Sequence, residues 1–423
     1  MSDWKRGIED EWKRRAGAQP HASEKFSFPL IGQSVDVTEV LAMIDTLLSG
    51  RITMADRVRE YEAEFAKATG AQYAAMVNSG SSANLLALAA AANPARKPHL
   101  KPGDEVLVPA ICWSTSVWPI LQVGAKPVFV DVDPKTLNVD ISELRGKLTP
   151  KTKGMVAVHI LGNSAPMAEL LAFAKEANLI LVEDTCESLG SKAQGKQLGT
   201  FADFGTYSFY YSHHITTGEG GMVVCKTLED YDLLRCLRAH GWTRELSNRA
   251  QVDARHSDVD SRFLFVNLGY NLRPMETQAA MGLVQLRRMG QMNEARVKNH
   301  DNLRKALRTH PGWREQLIFP EAAPGTDPVW FGFPCLLNSS FSKHHRAYLE
   351  HLSNHGVENR PVISGNFTRQ PALKLLGIQA QPELFPGAEL VHQSGFFIGL
   401  HTDELPQSTL QTLANVLLSF SFA

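Results

Sequence analysis

Short apolar runs of strand length alternate with segments patterned for helix along the first half of this chain, and that alternation constrains its fold more than any other feature. The runs fall at 73–77, 105–109, 127–130, 154–159, 179–182, 206–209 and 222–225. Helices are expected over 38–48 and 57–68, from near Ser81, from about Ser114, and over 167–177 and 228–238. Runs that lack polar alternation are strands buried on both faces, and helical crossovers between them make neighbours parallel. The expectation is an α/β fold in which residues 36–305 form a large domain around a mostly parallel mixed sheet, preceded by an N-terminal segment, 1–35. A polar stretch, 243–262, has loop character. A long helical pattern from near Pro274 to about Leu307 then leads into a smaller C-terminal α+β domain, 306–423.

Charge narrows the partners. The 423 residues carry 43 Lys and Arg against 44 Asp and Glu, so no global field draws the chain to nucleic acid or to an anionic membrane. Any phosphate it binds must be held locally, and a small-molecule partner is expected. The longest strongly apolar stretch, 83–92, is about half of the roughly 20 residues a bilayer span needs, so no membrane partner is expected either. The opening MSDWKRGIEDEWKRR is charged throughout and lacks the apolar core of a secretory signal, which predicts a cytoplasmic protein. Cys112, Cys186, Cys225, Cys236 and Cys335 form no close pair, so reduced buried thiols fit better than a disulfide framework or a thiolate metal site. His351 and His355 make a helical HxxxH without the glutamate of a metalloprotease, read as solvated surface of a polar helix; no metal is expected.

In open α/β sheets ligands sit at the carboxyl ends of strands, and three polar segments end apolar runs. In the first, Asn78-Ser79-Gly80-Ser81-Ser82-Ala83-Asn84, a strand turns through glycine into a helix. Free N–H groups and hydroxyls there suit a phosphate, and the same pattern serves as an ordinary serine N-cap. The second ends in Glu183-Asp184. A carboxylate in the sheet's crevice needs a cationic or hydrogen-bonding partner such as a protonated pyridine nitrogen, or it is a plain helix cap. The third, from Ser208 to Gly221, includes His213-His214 and has few positions that look like plain core.

Together the NSGSSAN turn, the EDTCESLG run, the SF…TTGEGG segment and Gly269-Tyr270-Asn271-Leu272-Arg273 closely resemble the DegT/DnrJ/EryC1/StrS sugar aminotransferase family of pyridoxal-phosphate enzymes, over about residues 28–418. The four motifs occur in the family's order, which makes chance resemblance very remote. The resemblance implies a pyridoxal-phosphate-dependent transferase of fold type I, a homodimer with shared active sites, and one cofactor at each. By position it assigns Gly80, Ser81, Ser82 and Ser208 to the cofactor phosphate, with Asn271 reaching over to the other subunit's site. It places Trp113 on the face of the pyridine ring and Asp184 at the ring nitrogen, where a carboxylate sustains the ring as an electron sink. Glu187 stands near the ring hydroxyl, where most of the family has glutamine, and donates a hydrogen bond there only if protonated.

The decisive departure is His213, which occupies the place of the family's cofactor-tethering lysine. An imidazole has no primary amine and cannot form that tether, and Lys192, Lys196 and Lys226 lie outside the motif. Histidine here, followed by HITTGEGG, resembles the family's sugar 3-dehydratase branch. That resemblance implies pyridoxamine 5'-phosphate as the working cofactor, a nucleotide-diphosphate 4-keto-6-deoxyhexose as substrate, and His213 as acid and base. An amino donor such as glutamate would then restore the amine from pyridoxal 5'-phosphate. The branch's iron–sulfur subtype carries clustered cysteines between the GEGG and GYN motifs. Residues 221–270 hold only Cys225 and Cys236, so the cluster-free, colitose-pathway subtype is expected, with no iron–sulfur cluster. Arg360, Asn366 and Arg369, in a run resembling the dehydratases' GN-TRQP, are candidate contacts to a diphosphate or a donor carboxylate. The alternatives are an ordinary nucleotide-sugar aminotransferase, which needs the missing lysine, and an inactive cofactor-binding sensor or scaffold.

Overall fold

The computed structural model describes residues 3–17 and 26–422; of the N-terminal segment, residues 1–2 and 18–25 lie outside the described residues. Seven strands form the main sheet: β1 (Tyr73–Val77), β2 (Glu105–Pro109), β3 (Lys126–Val130), β4 (Thr152–Val158), β5 (Ile180–Asp184), β6 (Phe204–Ser208) and β7 (Gly221–Cys225). Their spatial order is β1-β7-β6-β5-β4-β2-β3. Every neighbouring pair from β6 to β3 is parallel, while β7 runs antiparallel to both β6 and β1. The sheet is therefore mixed and mostly parallel, as the alternation predicts. The carboxyl ends of β1 through β6 lie on one edge, joined there by Gly221 at the start of β7, which pairs with both Val77 and Ser208.

Helices cover both faces: α1 (Asp3–Gly17), α2 (Val37–Leu48), α3 (Asp56–Thr69), α4 (Gly80–Ala91), α5 (Ser114–Gln122), α6 (Met167–Glu176), α7 (Leu228–Arg238) and α8 (Glu276–Thr309). Successive strand residues point to opposite faces, so β4 sends Val156 and Val158 against α4 and Met155 and Ala157 against α6. Beyond β1, Tyr61 and Phe65 of α3 and Ala279 and Leu283 of α8 complete the core over Met76, Tyr207 and Met222. The charged opening, read above only for targeting, folds as α1, with Trp4, Ile8 and Trp12 one turn apart on its partly covered face. The 243–262 stretch is not all loop: it contains the two-turn helix Arg249–Arg255, too short to leave a periodic signal.

A second sheet, β8 (Leu317–Ile318), β9 (Gly332–Leu337), β10 (Asn359–Arg360) and β11 (Gly395–Gly399), is antiparallel in the order β8-β9-β11-β10. It packs with α9 (His345–Asn354), α10 (Pro386–Ser394) and α11 (Gln407–Leu418). Its core joins Phe333, Phe396 and Ile398 to Leu410 and Leu413 of α11 and to Leu303 and Leu307 of α8. The 34 residues of α8 span about 50 Å and so contribute to both cores. His351 is not simply solvated: its Nε2 sits 3.2 Å from the Val416 carbonyl and 3.1 Å from Ser419 Oγ, tying α9 to the end of α11. Among the described residues no helix is long and apolar enough to cross a membrane.

Candidate active site

A cleft of about 500 Å³ opens at the carboxyl edge of the large sheet, where the second sheet and the segment around Leu30 close over it. Its walls come largely from the ends of β1, β2, β4, β5 and β6 and the residues that follow them. After β1, Ser79 caps α4, its hydroxyl oxygen accepting the Ser82 N–H at 3.0 Å. The Gly80 and Ser81 N–H groups are left without an acceptor among the described residues, at the positive end of a helix. A side chain at Gly80 would meet Ser208 Cβ at 2.4 Å, so glycine is what lets β6 and α4 converge into a cradle. Ser208 and Ser81 line the cleft; Ser82 does not, and its hydroxyl oxygen accepts from Ser79 Oγ at 2.9 Å.

β5 separates its two carboxylates by strand geometry. Glu183 points away from the cleft and accepts the N–H groups of Gly199, Phe201 and Ala202 within 2.8 Å, a structural cage. Asp184, only 4% exposed, points into the cleft. Its Oδ2 accepts from Asn84 Nδ2 and from Ser116 Oγ, both at 2.7 Å, and its Oδ1 accepts the Cys186 N–H at 3.2 Å. Trp113, ahead of α5, lines the cleft with 56% of its surface exposed and no aromatic partner among the described residues.

His213 lines the same cleft. Its Nδ1 lies 2.5 Å from the Cys186 carbonyl, an acceptor, so the proton is on Nδ1 and Nε2 carries the lone pair. Nε2 has no hydrogen-bond partner among the described residues. Burial holds the imidazole neutral, down to about 4, with the Arg296 cation adding to the effect. Phe331 packs edge-on to the ring at 5.1 Å. Glu187 accepts the Leu161 N–H at 3.1 Å, and burial pushes its carboxyl up to about 8. It is therefore mainly protonated at neutral pH, which gives it the donor that glutamine would have. His214 turns away, its Nε2 donating to the Val329 carbonyl at 2.9 Å.

The remaining expected residues divide. Arg360 reaches the cleft mouth from β10. Asn366 and Arg369 do not: Asn366 is fully buried as the cap of a short turn, and Arg369 is clamped to Glu389 at 2.8 and 2.5 Å. Asn271 does not line this chain's cleft either; Tyr270 and Leu272 pair with the end of α7 and hold it on the surface. The sequence reading missed Asn84, Ser116, Thr206 and His159. The first two sit at the fifth and third residues of helices that leave strand ends, a position that would have marked them. His159, buried at the end of β4, accepts the Ala165 N–H at Nδ1 and faces Glu183 with Nε2.

A flat aromatic ligand bearing a phosphate and a ring N–H would satisfy the α4 terminus, the Trp113 face and Asp184 together. The fold and the cleft are thus those of a pyridoxal-phosphate enzyme built on the aminotransferase fold. The chain belongs to the DegT/DnrJ/EryC1/StrS aminotransferase family, whose model matches residues 33–417. It is 38% identical over 382 residues to a GDP-4-keto-6-deoxy-D-mannose 3-dehydratase of Escherichia coli O55:H7, covering 90% of this chain and 96% of that one. It is 34% identical over 406 residues to a dTDP-4-dehydro-2,6-dideoxy-D-glucose 3-dehydratase of Saccharopolyspora spinosa, covering 92% and 86%. A crystal structure of GDP-4-keto-6-deoxymannose-3-dehydratase with a trapped PLP–glutamate geminal diamine superposes with a TM-score of 0.84 at 37% identity, covering 92% of this chain and all of that one.

Proposed function

We propose that this chain is a pyridoxamine-phosphate-dependent 3-dehydratase of a nucleotide-diphosphate-linked 4-keto-6-deoxyhexose, with glutamate restoring the amine. The observation that carries the reading is His213: a neutral imidazole with a fixed tautomer and an unpartnered Nε2 stands where the family tethers its cofactor by lysine. The two dehydratase relatives act on GDP- and dTDP-linked sugars by name, so the class rather than one nucleotide is assigned. Glutamate as donor draws support from the adduct in the relative's structure.

When bound, the cofactor supplies an amine for the 4-keto carbon and a ring that accepts an electron pair. Gly80, Ser81 and Ser208 hold the phosphate, Trp113 covers one ring face, and Asp184 holds the ring-nitrogen proton. Protonated Glu187 donates to the ring hydroxyl. His213 Nε2, the free base facing the cleft, would take up the proton released as the bound cofactor's ring draws in electrons and would pass it to the C3 hydroxyl, which would leave as water. Burial that depresses the imidazole makes its protonated form a strong acid, suited to that second task. Arg360 meets the diphosphate or the donor carboxylate at the cleft mouth. Over a full cycle the sugar loses one oxygen while glutamate becomes 2-oxoglutarate and ammonia, which balances without an external reductant. Cys225 and Cys236, buried in β7 and α7, are not arranged as a cluster site in this reading.

The active enzyme is a homodimer in this proposal. Asn271 lies outside its own chain's cleft, and Phe263, Phe265 and Leu268 beside it are 52–76% exposed, an apolar face for a second copy. Asn271 would then complete the other subunit's phosphate site.

The test is to incubate the protein with pyridoxal phosphate, excess glutamate and a panel of 4-keto-6-deoxy nucleotide sugars. The proposal expects a product one oxygen lighter and free of amine. An aminated sugar would make the chain an ordinary aminotransferase, and binding without any product would make it a scaffold.

A further inference from the structure

Asp184 is held by a chain of hydrogen bonds whose direction the structure fixes. Thr206 Oγ1, in the middle of β6 and fully buried, lies 2.5 Å from Asn84 Oδ1, and Asn84 Nδ2 lies 2.7 Å from Asp184 Oδ2. The reverse amide orientation would set Asn84 Oδ1 against a carboxylate oxygen, two acceptors at 2.7 Å, while its NH2 faced the hydroxyl. The Thr206 proton therefore goes to Asn84 Oδ1, with the Glu183 carbonyl at 3.2 Å a longer second acceptor, and the amide presents its donor to Asp184. Ser116 supplies a second donor to the same Oδ2 at 2.7 Å. The result is lopsided: Oδ2 takes two short contacts, while Oδ1, among the described residues, takes one longer contact, from the Cys186 N–H at 3.2 Å. Two elements, α4 and α5, converge on one oxygen, with β6 holding the α4 amide from behind, and leave the other oxygen open.

We propose that Thr206 and Asn84 are positioning residues: the Thr206 hydroxyl orients the Asn84 amide, which with Ser116 pins Asp184 Oδ2 so that Oδ1 meets the ring-nitrogen proton of the cofactor. This rests on the assignment of Asp184 to the ring nitrogen. Thr206 touches neither cofactor nor substrate, so its effect must pass through the carboxylate.

The experiment compares equilibrium binding of pyridoxal phosphate with binding of its 1-deaza analogue, in which a C–H replaces the ring nitrogen. In the wild type the natural cofactor binds more tightly. Thr206→Val, nearly isosteric, weakens pyridoxal phosphate by about three- to tenfold and leaves the analogue unchanged. Thr206→Ser, which keeps the hydroxyl, restores the preference. Asn84→Ala gives the same selective loss, larger in size, and serves if the valine variant does not fold. Equal weakening of both ligands, or of neither, overturns the proposal, because the pair would then shape the pocket without acting through the ring nitrogen. A wild type that does not distinguish the two ligands overturns it at an earlier step, since Asp184 itself would not serve the nitrogen.

Discussion

Two polar regions of this chain look equally rich in donors and do different work. At the carboxyl edge of the large sheet, Gly80, Trp113, Asp184, Ser208 and His213 converge on one cleft because parallel strands end side by side and each hands its next residue to that edge. In the run 360–371 of the second sheet, the side chains satisfy one another instead. Arg369 spends both arms on Glu389, and Asn366 is buried under Thr368 and Glu389; Arg360 is paired too, with Glu358 at 2.5 Å and the Asn359 carbonyl at 2.8 Å, but of the three it lines the cleft. Donor chemistry becomes a site only where the backbone aims it into the cleft.

Four measurements would break or sharpen that contrast. The largest effect is expected at the sheet edge: His213→Ala lowers kcat for deoxygenation by about 10²- to 10⁴-fold while pyridoxal-phosphate binding persists. Retained turnover would move the acid–base role elsewhere in the cleft. Next, Asn271→Ala weakens cofactor binding by about ten- to a hundredfold, the worth of a charge-assisted hydrogen bond to phosphate. Mixing it with inactive Asp184→Ala should restore up to half the activity of each mixed dimer; no recovery after proven subunit exchange assigns Asn271 to its own chain. Third, Arg360→Ala raises KM for sugar or glutamate by about tenfold with kcat little changed, whereas Arg369→Ala leaves both constants alone and costs at most about 1 kcal/mol of stability as an exposed pair. Equal kinetic effects would erase the contrast between the regions.

The smallest effect concerns pH. kcat/KM falls as pH drops through about 4, where His213 gains a proton and loses its lone pair. It falls again as pH rises through about 8, where Glu187 loses the proton it donates. Glu187→Gln cannot ionise, so the alkaline limb should move away while activity at neutral pH stays within about twofold. An unchanged alkaline limb would assign it to another group.

Much of this was legible in the chain itself. Strand-length runs without polar alternation sufficed for the large sheet, because burial on both faces leaves a composition signal of its own. Asp184 was legible because it belongs to the carboxylate pair that ends such a run, and Gly80 because it turns the chain from one into a helix. His213 was legible through the family's motif, where it stands in the lysine's place. The fate of Asn366 and Arg369 was not, since only the fold brings Glu389 within reach of both. Nor was the cage of N–H groups from Gly199, Phe201 and Ala202 that Glu183 fills on the side away from the cleft. The short helix 249–255 and the Thr206–Asn84 link were equally hidden: the first spans too few residues for a period, and the second joins positions 122 apart.

The central claim is that a histidine in the lysine position turns an aminotransferase framework toward loss of the C3 hydroxyl. Its most direct test is the ratio of ammonia to 2-oxoglutarate released during turnover with glutamate and a 4-keto-6-deoxy nucleotide sugar. Transamination keeps the donor nitrogen on the sugar, whereas deoxygenation returns it to water. The account predicts one ammonia per 2-oxoglutarate for the wild type and almost none for His213→Lys. Wild-type turnover that forms 2-oxoglutarate without ammonia, or ammonia release undiminished in the lysine variant, would contradict it.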